Sequence, residues 1–226
     1  MTERTVGIIG LGIMGGAISR NLIERGWAVV GFDTDASRRS ELGLAGVTIV
    51  DGAGSVASRS SMIMTSLPNA DAANAVATEI AGCGQPARTF IELSTLTIAD
   101  KLHFKAVLAP AGHIALDCSL SGTGAQAAVR DLVVYASGDS AAITRCRGLF
   151  DDFAKQSADL GAYGNGSRMK FVANHLVHSQ RCLGGSDDAG RAGRAGFESG
   201  DRDGRSRRRR FAHVSDASTD DGQTQL

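Results

Sequence analysis

Three groups of residues in this chain have types and spacings that could do chemistry. The first is Gly10-Leu11-Gly12-Ile13-Met14-Gly15, which follows the apolar run Thr5-Val6-Gly7-Ile8-Ile9 and opens a helical pattern. Glycines at this spacing suit a dinucleotide: Gly10 makes the tight turn, Gly12 lets the backbone approach a pyrophosphate, and Gly15 lets the helix pack closely on the strand. Leu11, Ile13 and Met14 complete the cofactor-binding turn, and the helix that follows offers free N–H groups and a positive dipole end to the anion. Asp33 ends a second apolar run, Ala28-Val29-Val30-Gly31-Phe32, and lies 18 residues beyond Gly15. At that distance a carboxylate can accept hydrogen bonds from an adenosine ribose, and it repels a 2′-phosphate, so NAD is expected ahead of NADP. Arg38 and Arg39 could reach a phosphate from the next helix, but a solvated helix face is their expected place.

The second group is Asp117-Cys118-Ser119-Leu120-Ser121-Gly122-Thr123-Gly124-Ala125. Small residues after an apolar strand leave backbone N–H groups open to an anion, and a carboxylate would fit; a plain glycine loop is the alternative. The third group is Lys170 and Asn174. A helix starting at about Gly166 places them four apart on one face, which is also a common pattern for a solvated surface. Leu67-Pro68 and Ser94-Thr95 close two further apolar runs, at the edge where parallel sheets bind ligands. Their neighbourhood would equally suit helix N-caps.

These groups need a scaffold. Apolar or β-branched runs at 5–10, 28–33, 47–50, 61–67, 88–93, 113–118 and 132–137 alternate with helical patterns at 13–25, 35–43, 69–81, 97–109 and 140–154. Such alternation predicts an α/β fold of the Rossmann-like, doubly wound kind, with a mostly parallel sheet and helices on both faces.

The chain has 226 residues and a formal net charge of zero, so it carries no overall pull toward nucleic acid or anionic membrane. No export signal or membrane span is visible at the N-terminus, and a cytoplasmic location is expected. Cys83, Cys118, Cys146 and Cys182 share no metal-ligand spacing and read as reduced, mostly buried thiols; no metal site is expected. Composition breaks near Val177: residues 178–226 hold nine Arg, eight Gly and seven Asp but no Lys, Ile or Met. Too few large apolar residues are present there to offset the entropy of ordering, so a disordered tail is expected.

The glycine turn with Asn21-Leu22, Leu67-Pro68, Ser94-Thr95, the Asp117–Gly124 stretch and Lys170 with Asn174, in this order, resemble the β-hydroxyacid dehydrogenase family of the 3-hydroxyisobutyrate dehydrogenase type. The match covers about residues 4–177. The resemblance implies an oxidoreductase that exchanges hydride between NAD, with NADP as second choice, and a small β-hydroxyacid or semialdehyde acid. It assigns Lys170 as the catalytic lysine, and Ser121, Gly122, Thr123 and Asn174 as substrate-binding. Leu67, Pro68, Ser94 and Thr95 would border the nicotinamide. Thr123 stands where the family has a second glycine, and Arg130-Asp131-Leu132 replaces its Gly-Thr-Leu.

The implied organisation is a dinucleotide domain over 1–165 and the start of an interdomain helix over 166–177. The family's all-helical second domain, which closes the site and forms the dimer, has no counterpart after Val177. Residues from about His178 onward are therefore expected to be a frameshift product or an altered gene end. Two other readings stay open. One is a catalytically dead dinucleotide-binding module. The other is a nucleic-acid arm using Arg205-Ser206-Arg207-Arg208-Arg209-Arg210, disfavoured by the interleaved Asp201, Asp203 and Asp216 and by the lack of a stacking platform.

Overall fold

The computed structural model describes residues 4–176 and Ser179. The readings made for 178–226 otherwise lie outside the described residues. The first half of the fold holds β1 (Thr5–Ile9), α1 (Ile13–Glu24), β2 (Ala28–Phe32), α2 (Ala36–Leu44) and β3 (Thr48–Ile49). Next come α3 (Ala53–Arg59), β4 (Met62–Thr65), α4 (Ala70–Gly82), β5 (Thr89–Glu92) and α5 (Ile98–Leu108). Then follow β6 (Ile114–Ser121), α6 (Gly124–Ala128), β7 (Val133–Ser137), α7 (Ser140–Phe153) and β8 (Gln156–Asp159). A helix over 165–176, α8, carries Lys170.

The strands form one sheet in the order β3-β2-β1-β4-β5-β6-β7-β8. All neighbours are parallel except β6 and β7. This is the expected doubly wound, mostly parallel α/β fold. Chain order reverses between β1 and β4, which opens a crevice over the carboxyl ends of those strands, where open α/β sheets bind ligands.

Each face of the sheet buries its own apolar layer. Ile18 and Leu22 of α1, Leu42 of α2 and Leu149, Phe150 and Phe153 of α7 pack on one side. Val56 of α3, Ala77 and Ile80 of α4 and Phe104 and Leu108 of α5 pack on the other. In α7 the buried positions Ile143, Cys146, Phe150 and Phe153 recur at helical spacing, which makes one stripe for the sheet. Among the described residues no helix is long and apolar enough to cross a membrane. Cys83, Cys118 and Cys146 are free thiols, the last two buried, and no group of metal-ligating side chains forms among the described residues.

The structure differs from the sequence reading in four elements. Helices α3 and α6 and strand β8 are added; each is seven residues or shorter, so a helical pattern lacks the window of about 11–18 residues that reveals it, and β8 (Gln156-Ser157-Ala158-Asp159) has a single apolar residue. Strand β6 does not stop at Cys118 but runs to Ser121, pairing with β7 along its second half. The polar side chains of Asp117 and Ser119 hid that strand. They are buried in it because each finds hydrogen-bond partners inside the protein.

Candidate functional site

The glycine turn sits where β1 ends in the crevice, and its three glycines have different physical reasons. Gly10 has φ of +93°, a left-handed conformation that favours glycine, and an added Cβ would collide with the carbonyl oxygen of Ser66 at the end of β4. At Gly15 an added Cβ would strike the Gly10 carbonyl oxygen, so α1 approaches β1 only because no side chain stands there. Gly12 is unlike both. Its φ of −67° is open to any residue, and an added Cβ would meet nothing closer than Arg38 Nη1 at 3.5 Å. The fold does not need a glycine at position 12; the space it leaves open is a cradle that a side chain would fill. Gly15→Ala is therefore expected to lower the unfolding free energy by about 1–3 kcal/mol, read by chemical denaturation.

The start of α1 fits an anion. No side chain caps it, and its first turn carries no acidic residue. Every other described α-helix has a side-chain acceptor at its start. Asp35, Asn69, Thr97, Thr123 and Asp139 cap α2, α4, α5, α6 and α7. Glu79 accepts from Gly54 N–H of α3, and Asp117 accepts from Ser167 N–H of α8. Free N–H groups at α1 beside an open cradle are the donor set a pyrophosphate requires.

Asp33 lies just past β2 and is 7% exposed. Its Oδ2 accepts from Leu11 N–H at 2.7 Å and its Oδ1 from Asp35 N–H at 2.8 Å, which ties the acid to the glycine turn. Arg38 keeps the exposed place expected of it, whereas Arg39 is partly buried. Arg38 Nη1 lies 3.5 Å from Asp33 Oδ2, and Arg39 Nη1 donates to the carbonyl oxygens of Asp33 (2.7 Å) and Thr34 (3.0 Å). Helix α2 begins directly after Asp35, so its first-turn arginines fold back over the end of β2. Leu11, Gly12, Ile13 and Arg38 line one cavity of about 430 Å³, while Phe32, Thr34, Arg39 and Asp51 line another of about 370 Å³.

On the β4–β5–β6 side, a cavity of about 280 Å³ brings together Met14, Leu67, Pro68, Ser94, Thr95, Gly122 and Lys170. These residues come from five separate segments. Ser94 does not cap a helix: its Oγ accepts from Leu67 N–H at 2.8 Å and joins two of the cavity walls, while Thr97 caps α5. Lys170 is half-buried, and burial pushes its ammonium below the ordinary lysine value. Gly122 has φ of +138°, and an added Cβ would run into the Leu132 side chain.

Ser121, Thr123 and Asn174 do not line this cavity. Ser121 is the last residue of β6. The Thr123 hydroxyl accepts from Gln126 N–H at 3.3 Å in a capping box, and Asn174 is exposed one turn beyond Lys170. The sequence reading also missed a buried cluster behind the cavity, Glu92, Lys101 and Asp117. The one signal for it was a charged residue inside an apolar run, Glu92 in 88–93 and Asp117 in 113–118; nothing local marked Lys101.

A family profile described as the NAD binding domain of 6-phosphogluconate dehydrogenase matches residues 5–163. The chain belongs to that family. Among curated relatives, a protein named "Probable 3-hydroxyisobutyrate dehydrogenase" from Mycobacterium bovis is 30% identical over 173 residues, covering 76% of this chain and 58% of its own length. Glyoxylate/succinic semialdehyde reductase 1 of Arabidopsis thaliana is 28% identical, with 77% of this chain and 61% of its own length covered. Among solved structures, Mycobacterium tuberculosis 3-hydroxyisobutyrate dehydrogenase with L-serine superposes with a TM-score of 0.78 at 27% identity, covering 88% of this chain and 68% of that one. The chain thus spans about three fifths of the length of these two curated relatives.

Proposed function

We propose that this chain acts as the cofactor-binding and lysine-bearing part of an NAD-linked β-hydroxyacid dehydrogenase of the 3-hydroxyisobutyrate type. The observation that carries the reading is the convergence of Lys170, Gly122 and the Leu67-Pro68 and Ser94-Thr95 loops on one cavity of about 280 Å³, with Met14 of the α1 start in its wall. On this reading residues 1–165 form the dinucleotide domain and 166–177 begin an interdomain helix. The partner is a small acid, and the free thiols of Cys83, Cys118 and Cys146 among the described residues suit a reducing compartment such as the cytoplasm.

Bound NAD would supply the hydride donor or acceptor at nicotinamide C4. Gly10, Gly12 and Gly15 shape the turn that admits its pyrophosphate, and Asp33 accepts from the ribose hydroxyls. Gly122, in the cavity wall, would border the substrate carboxylate. The resemblance gives Ser121 and Thr123 to the same carboxylate and Asn174 to substrate orientation, but all three lie outside that wall, so those roles would need the loop and α8 to close over the substrate. Lys170 gives a proton to the substrate oxygen in the reductive direction and removes it in the oxidative one. Because the neutral amine is the base, oxidation should rise with pH to a midpoint below the ordinary lysine value, in keeping with the downward push of burial. A pH–rate profile of NAD reduction checks this; a midpoint at the unperturbed value would put Lys170 in open water.

Asp33 favours NAD, while Arg38 beside it offers a partner for a 2′-phosphate. Asp33→Ala is expected to narrow the NAD preference, and Arg38→Ala to widen it by about tenfold, the scale of one charge-assisted hydrogen bond. Parallel NAD and NADP titrations of both variants decide between them.

Turnover assays with a panel of short β-hydroxyacids and semialdehyde acids, beside direct cofactor titration, test the whole reading. Cofactor-dependent conversion that is lost in Lys170→Ala supports it. A second reading, dinucleotide binding without turnover, is favoured by the open setting of α8. Its Met169, Phe171, Val172 and Leu176 are exposed. Tight NAD binding with no conversion of any panel acid would select that reading.

A further inference from the structure

Glu92 and Asp117 are paired in register on the adjacent strands β5 and β6, and both are fully buried. Like charges at opposed positions repel, and a buried carboxylate needs a partner. Lys101 of α5, equally buried, supplies it. Its Nζ ion-pairs with Glu92, lies 3.0 Å from Asp117 Oδ1 and donates to the Glu92 carbonyl oxygen at 3.1 Å. Burial alone would push this ammonium down, but the two carboxylates outweigh it and hold it above the ordinary lysine value.

Hydrogen bonds run from this cluster in two directions, and both reach the walls of the Lys170 cavity. On one side Glu92 Oε1 accepts from Ser94 N–H at 2.9 Å, and Ser94 Oγ accepts from Leu67 N–H at 2.8 Å. On the other, Asp117 Oδ2 accepts from Ser167 N–H at 2.8 Å and Oδ1 from Ser167 Oγ at 2.9 Å. Gly166 N–H donates to Ser137 Oγ at 3.0 Å, and that hydroxyl donates to the Asp117 carbonyl oxygen at 3.2 Å. An added Cβ at Gly166 would strike the carbonyl oxygens of Tyr135 and Asp117, so the first turn of α8 rests directly on the sheet. Lys170 stands three residues beyond Ser167, on the same helix face.

We propose that Lys101 is a positioning residue for Lys170: by bridging Glu92 and Asp117 it keeps Asp117 available to seat the first turn of α8, and it ties that seat to the Leu67 and Ser94 walls of the same cavity. The inference rests on Lys170 as the proton-transfer group, but the seating is measured without turnover. A failure of either is therefore visible separately.

The test uses the full 226-residue chain. Lys101→Met keeps the stem and removes the charge. Lys101→Met with Glu92→Gln also removes the repulsion and leaves an amide able to donate to Asp117. Hydrogen exchange at the Ser167 amide and NMR titration of the Lys170 amine, tagged by reductive methylation, are read for each, with NAD affinity as a separate measurement. In Lys101→Met, protection at Ser167 should fall by about tenfold or more as the first turn opens. The Lys170 midpoint should move toward the ordinary lysine value. The double variant should bring both back most of the way, which a merely structural loss would not do. A folded Lys101→Met with unchanged Ser167 protection and Lys170 midpoint overturns the proposal, and so does a loss that the double variant fails to rescue. If neither Lys101 variant folds, Ser167→Ala decides: an unmoved Lys170 midpoint there also overturns it.

Discussion

Gly12→Val is expected to abolish dinucleotide binding while the sheet stays folded. The backbone at Gly12 already has a conformation open to valine, and an added Cβ meets only the Arg38 guanidinium at 3.5 Å. The side chain therefore costs the fold little. It would stand in the cradle at the uncapped start of α1, where the free N–H groups must come within hydrogen-bonding distance of a pyrophosphate. A loss of about a thousandfold in affinity, roughly 4 kcal/mol, is expected by calorimetric titration. Circular dichroism and the thermal midpoint should stay near the parent values. Gly15→Ala makes the contrast, since there the added atom is driven into the Gly10 carbonyl oxygen and stability falls instead. Equal NAD affinity in Gly12→Val and the parent would show that the glycine turn is structural only.

The 226-residue chain is expected to bind NAD yet to turn over slowly, and a chimera that continues α8 with the corresponding region of the Mycobacterium bovis relative should recover several orders of magnitude in rate. Lys170 is half-buried here, and the apolar residues Met169, Phe171, Val172 and Leu176 around it on α8 are exposed. An amine fully in water near its unperturbed value would be neutral in only about one molecule in a thousand at pH 7.4. Covering the helix deepens the burial that already pushes Lys170 down, and it also aligns the substrate, so the two gains multiply. Steady-state kcat and KM of both proteins with a short β-hydroxyacid measure the gain. Lys170→Ala in the chimera should remove it again. Equal rates in the two proteins would mean that the 226-residue chain already holds a complete site.

The cofactor turn was legible because its determinants are local. A strand, a three-glycine turn, a helix and an acid 18 residues beyond Gly15 lie within residues 5–33; Gly15 answers to a contact inside that unit and Gly10 to one at the neighbouring end of β4, while Gly12 leaves the cradle open. The order of apolar runs likewise pointed to the parallel sheet, since buried parallel strands show as near-continuous hydrophobic segments. Strand β6 was cut short at Cys118 because Asp117 and Ser119 look like loop residues when their partners are unseen. Those partners, Lys101 and Ser167, stand on α5 and α8.

By itself, then, the sequence determined the α/β class, the glycine turn and the positions of Asp33 and Lys170 along the chain, because these depend on periodicity and short spacing. Tertiary structure alone decided what surrounds them. It folded Arg39 back onto the end of β2, set the exposed Arg38 beside Asp33, and left Thr123 capping α6. It set Glu92 beside Asp117 through the β5–β6 register and put Lys101 between them. The physical reason is that ion pairs and buried hydrogen bonds act over a few ångströms in space. Sequence spacing carries no record of which distant residues the strand register and helix packing will bring within that range.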